Sequence, residues 1–263
     1  MSTGRRVILT RPTHDSQAWT LGLKAAGHAV INWPLIEIAS ITHLEPLQNA
    51  LTHWSRYQAV MFVSRNAVTH TFAAGKPVTG WGTTRCWATG PGTRQALLDA
   101  GVPNCLIDAP AFDATQFDTE ALWQVVKNSV STNQPVLILR GSQADQQDTA
   151  AQGVGRDWLM QQLSQAGVEV DTWAVYQRVC PVWSEQQRAI ASQAMSDGSV
   201  WVFSSSQAII HLQLLLPGQD WAGAMAIATH ERIGKAAALA GMGKVCVCKP
   251  EFKALQSSLE SLA

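Results

Sequence analysis

The sequence predicts an α/β protein made of two doubly wound parallel sheets that arose by tandem duplication. Three observations lead there. The chain repeats itself along most of its length, each copy alternates short apolar runs with longer amphipathic stretches, and the runs are apolar on both faces. Strands with two apolar faces, separated by helices, belong to parallel sheets covered on both sides, with right-handed crossovers.

The repeat is visible when the chain is slid over itself. "VILTR" at Val7–Arg11 overlies "VLILR" at Val136–Arg140, and "LKAAGHAVINW" at Leu23–Trp33 overlies "LSQAGVEVDTW" at Leu163–Trp173. The offset grows from 129 to 140 between these matches, so the second copy carries 11 extra residues. They fall in "GSQADQQDTAAQGVGR", whose Gln, Asp, Ala and Gly content reads as an inserted loop. Next come "VMFVSRNAV" at Val60–Val68 over "WVFSSSQAI" at Trp201–Ile209, then "ATGPGTRQALLDAG" at Ala88–Gly101 over "ATHERIGKAAALAG" at Ala228–Gly241.

Taken in order, the apolar runs place strands near 7–10, 29–33, 59–63, 85–89 and 104–107, with counterparts near 136–139, 168–173, 200–203, 225–229 and 245–248. Helices fill the gaps and end at Gly27, Gly101, Gly167 and Gly241, residues suited to a left-handed helix stop. Five strands per copy fit a flavodoxin-like sheet. Trp33 and Trp173 correspond in the repeat and read as core fillers; His70 and His211 also correspond, which suits a structural position. On the repeat alone, the contiguous halves part near "NSVSTNQ", Asn128–Gln134.

Composition narrows the function. Charged residues are 14% of the chain against roughly 25% in ordinary soluble domains. Lys plus Arg equals Asp plus Glu at 19 each, so nothing in the charge suggests nucleic acid or an anionic membrane as partner, and an acidic ligand must be held by local features. The start, "MSTGRRVILTRP", has only four apolar residues before Thr10, too few for a signal-peptide core, and no run approaches the ~18 apolar residues of a membrane span. With five cysteines, an odd number, reduced thiols and a cytoplasmic location are expected. Cys246 and Cys248 in "KVCVCKP" lie on an expected buried strand without the second ligand pair of a zinc site.

In open α/β sheets ligands bind beyond the carboxyl ends of the strands. The residues ending the strands are Thr10 and Arg11, Ser64, Thr89 with "GPGT" (Gly90–Thr93), Arg140, Ser204–Ser206, and Thr229 with "HERI". Hydroxyls, glycines and free amides at helix starts form an anion-binding rim without net basic charge. The same residues also suit capping: Ser204 with Gln207 spells a capping box, and Ser64 suits an N-cap. No P-loop, G-x-G-x-x-G, nucleophile elbow or H-E-x-x-H is present, and the seven His show no metal spacing. No metal and no cofactor are therefore expected.

These motifs together resemble the uroporphyrinogen-III synthase family over essentially the whole chain: "VILTRP", "PLIEI", "FVSRNAV", "ATGPGT", "VLILRG" with the later Gly155 and Arg156, "GVEVDTWAVYQR" and "ATHERI", in that order. The resemblance implies two doubly wound domains joined by two extended connectors, with the active site in the cleft between them. The connectors are "PLIEIAS" and "AVYQRVCP", which moves the expected boundary: one domain is 1–37 plus 179–263, the other 38–178. The activity implied is cyclisation of the linear tetrapyrrole hydroxymethylbilane to uroporphyrinogen III, with ring D inverted and water lost, by a cytoplasmic monomer in transient contact with the preceding pathway enzyme. Carried over residue by residue, Ser64, Thr93 and Ser205 match hydroxyls lining the family's cleft, and Tyr176 matches its prominent tyrosine and takes the catalytic role. Arg11, Arg140 and Arg156 match family arginines. Asn66, Gly90, Ser204 and Thr229 complete the expected substrate-binding set. The second copy departs from "GPGT", since Ile233 stands where the first has Thr93. Two other classes fit two lobes: a non-catalytic binder of a tetrapyrrole or small anion, and a sugar-nucleotide transferase, the latter disfavoured because it does not require this duplication.

Overall fold

The computed structural model describes residues 4–114, 116–143 and 154–262, apart from the side chains of 13–15 and 154–157. In chain order the first elements are β1 (Arg6–Leu9), α1 (Thr13–Ala25), β2 (Ala29–Asn32), β3 (Glu37–Ser40), α2 (Glu45–Thr52), β4 (Ala59–Phe62), α3 (Arg65–Ala74), β5 (Arg85–Ala88), α4 (Pro91–Asp99), β6 (Ile107–Asp108) and α5 (Thr119–Val126). They continue with β7 (Val136–Gln143), α6 (Val154–Gln165), β8 (Val170–Val179), α7 (Glu185–Gln193), β9 (Val200–Phe203), α8 (Ser206–Leu215), β10 (Met225–Ala228), α9 (Glu231–Leu239), β11 (Lys244–Val247) and α10 (Phe252–Ser261).

Among the described residues the strands form a five-stranded sheet, β11-β10-β9-β1-β2, and a six-stranded sheet, β3-β8-β7-β4-β5-β6. The chain divides into two compact units, Met1–Glu37 with Val179–Ala263, and Ile38–Arg178. Each sheet takes its first two strands from one copy of the repeat and its last three from the other. With strands counted within a copy, both read 2-1-3-4-5, the flavodoxin-like order, and β3 adds an edge to the second.

Strand alternation divides each unit's core into two layers. In the first unit Val200 and Val202 of β9 join Val7, Leu9 and Leu23 on one face, while Trp201 and Phe203 join Ile8, Trp33 and Trp183 on the other. In the second, Ala59 and Met61 of β4 pack with Val136 and Ile138, and Val60 and Phe62 with Leu137 and Leu139. The first unit's aromatic layer is ordered: Trp33 stacks on Trp183 at 4.8 Å and on Trp201 at 6.3 Å between ring centroids. Such pairs add about 0.5–1.5 kcal/mol each beyond the area they bury.

Four helices end alike. Gly27, Gly101, Gly167 and Gly241 have φ of 85°, 90°, 74° and 98°, and each helix closes with paired amide bonds such as His28 N to Leu23 O and Gly27 N to Lys24 O. This is the Schellman stop expected of the four glycines.

Three details depart from the sequence reading. Residues 104–106 form a 3₁₀ turn after Pro103, leaving only Ile107–Asp108 as strand, because a proline and an asparagine favour the turn. Trp173 is 37% exposed and not a core residue, since the repeat puts Val60 where the first unit offers Trp201 as stacking partner. Cys246, on the edge strand β11, and Cys248, just past its end, are only half-buried. Residues 144–153 of the expected insertion lie outside the described residues, as does the side chain of Arg156.

Candidate functional site

Each sheet reverses its strand order once, and the reversal opens a crevice between the two outward-running helices at that point. In the first unit it lies between β1 and β9. The Thr10 hydroxyl, 2% exposed, donates to Val202 O at 2.7 Å and ties the two strand ends together. Beyond them is a pocket of about 230 Å³ lined by Thr10, Arg11, Pro12, Ile36, Ser204, Ser205 and Ala208. The Arg11 guanidinium lies over the Trp19 ring, 4.3 Å from its centroid, which sets its direction. Ser205 is the N-cap of α8, its hydroxyl accepting from Gln207 N at 3.2 Å. The cap is thus Ser205 and not the expected Ser204, and the Gln207 side chain turns instead to His211 Nε2 at 2.9 Å. A donor-rich pocket between a guanidinium and the positive end of a ten-residue helix suits a carboxylate.

Thr229 closes β10 with its amide on Phe203 O at 3.0 Å and is 7% exposed; it is not among the residues lining that pocket. The adjoining α9 is capped by His230, whose Nδ1 accepts from Arg232 N at 3.1 Å.

In the second unit the equivalent crevice lies between β7 and β4, and Tyr176 fills it. The strands β7 and β8 run on past the first unit's counterparts, with a register shift between Arg140 and Gly141 that sets Gly141 beside Tyr176. Tyr176 is 1% exposed. Its hydroxyl oxygen lies 3.2 Å from Ser64 Oγ and accepts from Arg178 Nη2 at 3.3 Å. Ser64 caps α3, accepting from Ala67 N at 3.2 Å. His70 lies beside the phenol ring at 5.7 Å between centroids, and its Nδ1 is 3.4 Å from Ser40 Oγ.

The remaining expected residues sit on neighbouring elements of this unit. Asn66 is half-buried in the first turn of α3. Gly90 is the N-cap of α4, and a side chain there would meet Phe117 Cβ at 3.2 Å. Thr93 is 7% exposed on the inner side of α4. Arg140 is half-buried at the register shift. Sequence reasoning passed over Arg178 and Gly141. The signal for the first was available: residues two apart on a strand share a face, so "VYQR" puts Arg178 beside Tyr176.

Among the described residues no group of three or more His, Cys, Asp or Glu is placed to hold a metal ion, and no helix is long and apolar enough to cross a membrane.

Comparison with known proteins places these features in a family. A family model described as "Uroporphyrinogen-III synthase HemD" matches residues 17–256. A uroporphyrinogen-III synthase from Proteus mirabilis is 29% identical over 175 residues, 66% of this chain and 80% of that protein. Among solved structures, the uroporphyrinogen-III synthetase of Helicobacter pylori aligns with a TM-score of 0.62 at 14% identity, covering 98% of this chain and 100% of that one. A mutant uroporphyrinogen III synthase of Thermus thermophilus aligns at 0.52 and 10% identity, covering 98% of each chain. At such identities the two structures speak for the shared fold.

Proposed function

The chain belongs to the uroporphyrinogen-III synthase family, and from that membership we propose that it acts as a cyclising hydro-lyase of tetrapyrrole synthesis, converting hydroxymethylbilane to uroporphyrinogen III with ring D inverted. The observation that carries this reading is the family match over residues 17–256.

The chemistry of the two crevices supports it. Hydroxymethylbilane is a flexible chain with eight carboxylates, and a protein of zero formal net charge must meet them locally. Arg11, with the helix start at Ser205, suits one carboxylate arm, and a pocket of about 230 Å³ has room for an arm or one pyrrole but not for the tetrapyrrole. Ser204, Ser205 and Thr229 in the first unit, and Ser64, Asn66, Gly90, Thr93 and Arg140 in the second, are proposed as further substrate-binding residues.

The reaction begins when hydroxide leaves the ring A hydroxymethyl group with acid help, giving an azafulvene cation. Ring D attacks it through its substituted carbon, and a spiro intermediate opens and recloses inverted. Unassisted closure gives the uninverted isomer, so orientation is the enzyme's main task and proton supply the second. Tyr176 is proposed as the proton's source. The reading needs no metal or cofactor, because side chains supply the acid. The free thiols of all five cysteines favour a reducing cytoplasm, and the substrate's readiness to close unassisted favours transient contact with the enzyme that makes it.

Complementation tests the proposal. Expression in cells that lack uroporphyrinogen-III synthase should restore growth without added haem; a binder without activity leaves them dependent on it.

A further inference from the structure

We infer that Arg178 fixes the direction of a proton relay in which Ser64, and not Tyr176, hands the proton to the departing hydroxyl. The inference rests on the proposed cyclisation and concerns how one step of it is served.

Hydrogen-bond polarity carries the argument. Arginine only donates. Its Nη2 reaches the Tyr176 hydroxyl oxygen at 3.3 Å, with the guanidinium carbon 5.7 Å from the ring centroid, so the phenol accepts on that side. We assign the single phenolic hydrogen to Ser64 Oγ, 3.2 Å away, a contact in which either oxygen can donate. Ser64 also accepts from Ala67 N at 3.2 Å. Both lone pairs of the serine oxygen are then engaged, and its own hydrogen points away from the pair. Exposure agrees with that order, since Tyr176 is 1% exposed and Ser64 half-buried at the carboxyl end of β4. Of the two hydroxyls, that of Ser64 belongs to the more exposed residue.

The proton balance closes. The C–O bond of the hydroxymethyl group breaks with its electron pair on oxygen, and that oxygen takes the Ser64 proton and leaves as water. Ser64 takes the proton of Tyr176, and the phenolate is held beside the Arg178 cation. Closing the macrocycle releases one proton from the pyrrole system, which returns through Ser64 to the phenolate. The net change is loss of one water, with the protein restored. Ser64 is the group that touches substrate; Tyr176 and Arg178 act through it.

The test is steady-state kinetics on the full chain, with thermal melts to confirm folding. Tyr176→Phe and Ser64→Ala should each lower kcat about ten- to a hundredfold with KM little changed, the range for a general acid that shares the work with orientation. The double variant should be no slower than the worse single one, because members of one unit are not additive. Arg178→Met should lower kcat roughly tenfold, and Arg178→Lys, which keeps charge and donors, should recover most of it. Ser64→Asn keeps an N-cap without the hydroxyl, and should fold yet still lose kcat even if Ser64→Ala folds poorly. Losses that multiply in the double variant, full kcat in Ser64→Ala, or an Arg178→Met effect confined to melting or KM would each overturn the relay while leaving wild-type conversion intact. Absence of type III product from the wild type would overturn the proposed function and the relay with it.

Discussion

Gly141 and Tyr176 are cross-strand neighbours fitted so closely that a carbon added at Gly141 would stand 2.4 Å from Cε2 and Cζ of the phenol ring. The repeat puts Pro12 over Gly141 and Ile36 over Tyr176, and both of these line the first unit's pocket. Two exchanges, Pro for Gly and Ile for Tyr, go with a pocket in the first crevice and a phenol ring in the second. At this place one unit has a pocket and the other the Tyr176–Ser64 hydroxyl pair.

Gly141→Ala is expected to displace the Tyr176 ring from its site. Overpacking of this kind costs about 1–3 kcal/mol, and the altered distance to Ser64 should lower kcat as well. Urea unfolding beside a rate measurement checks both; an unchanged midpoint with unchanged kcat would show that the ring has room to spare.

Ile36→Tyr makes the reverse exchange. With Pro12 in place, the ring has no glycine to lie against and is expected to occupy the pocket. Product affinity should fall about tenfold, equivalent to about 1.4 kcal/mol, as measured by calorimetry. Affinity equal to wild type would mean that this pocket takes no part in binding.

Ser205→Ala removes a helix cap and a pocket hydroxyl together. Stability should fall by about 0.5–2 kcal/mol, and product affinity by a further 0.5–1.5 kcal/mol, roughly one hydrogen bond. Ser184→Ala is the control, because Ser184 makes a full capping box with Gln187 on α7 and has no place in the rim. It should lose stability alone. If the two variants behave alike, Ser205 is a cap and nothing more.

Alkali should destabilise the second unit. Burial, and next the Asp171 carboxylate to which it donates at 3.0 Å, push the Tyr57 hydroxyl from 10.0 up to about 12. Burial pushes the Cys86 thiol from 9.0 up to about 12. In the unfolded chain these groups ionise near their ordinary values, so from about pH 9 to 12 the folded state binds more protons than the unfolded one and stability falls as pH rises. Tyr57→Phe should flatten the upper part of that fall. Denaturant titrations at pH 8, 10 and 11.5 read it directly, and a wild-type slope in the variant would remove Tyr57 from the account.

Much of this was legible in the sequence because it depends on local rules. Two-sided apolar runs marked the strands, and the glycines at 27, 101, 167 and 241 marked the helix stops, since only a left-handed residue closes those turns. The rim residues followed from where strands end. What depends on neighbours distant in sequence was not legible. Trp173 reads like Trp33, yet only Trp33 has tryptophans to stack on. Ser204 and Ser205 are equivalent on paper, and the hydrogen bond to Gln207 N decides between them. The filling of one crevice by Tyr176 requires a glycine 35 residues earlier and a register shift that no periodicity reveals.

The most direct test of the central claim is isomer analysis. Hydroxymethylbilane, generated in the same tube by the preceding enzyme, is incubated with the purified protein, and the products are oxidised and separated by chromatography. The account predicts that uroporphyrin III predominates and that its share rises with added protein. Uroporphyrin I alone, at the rate of spontaneous closure and whatever the amount of protein, would contradict it.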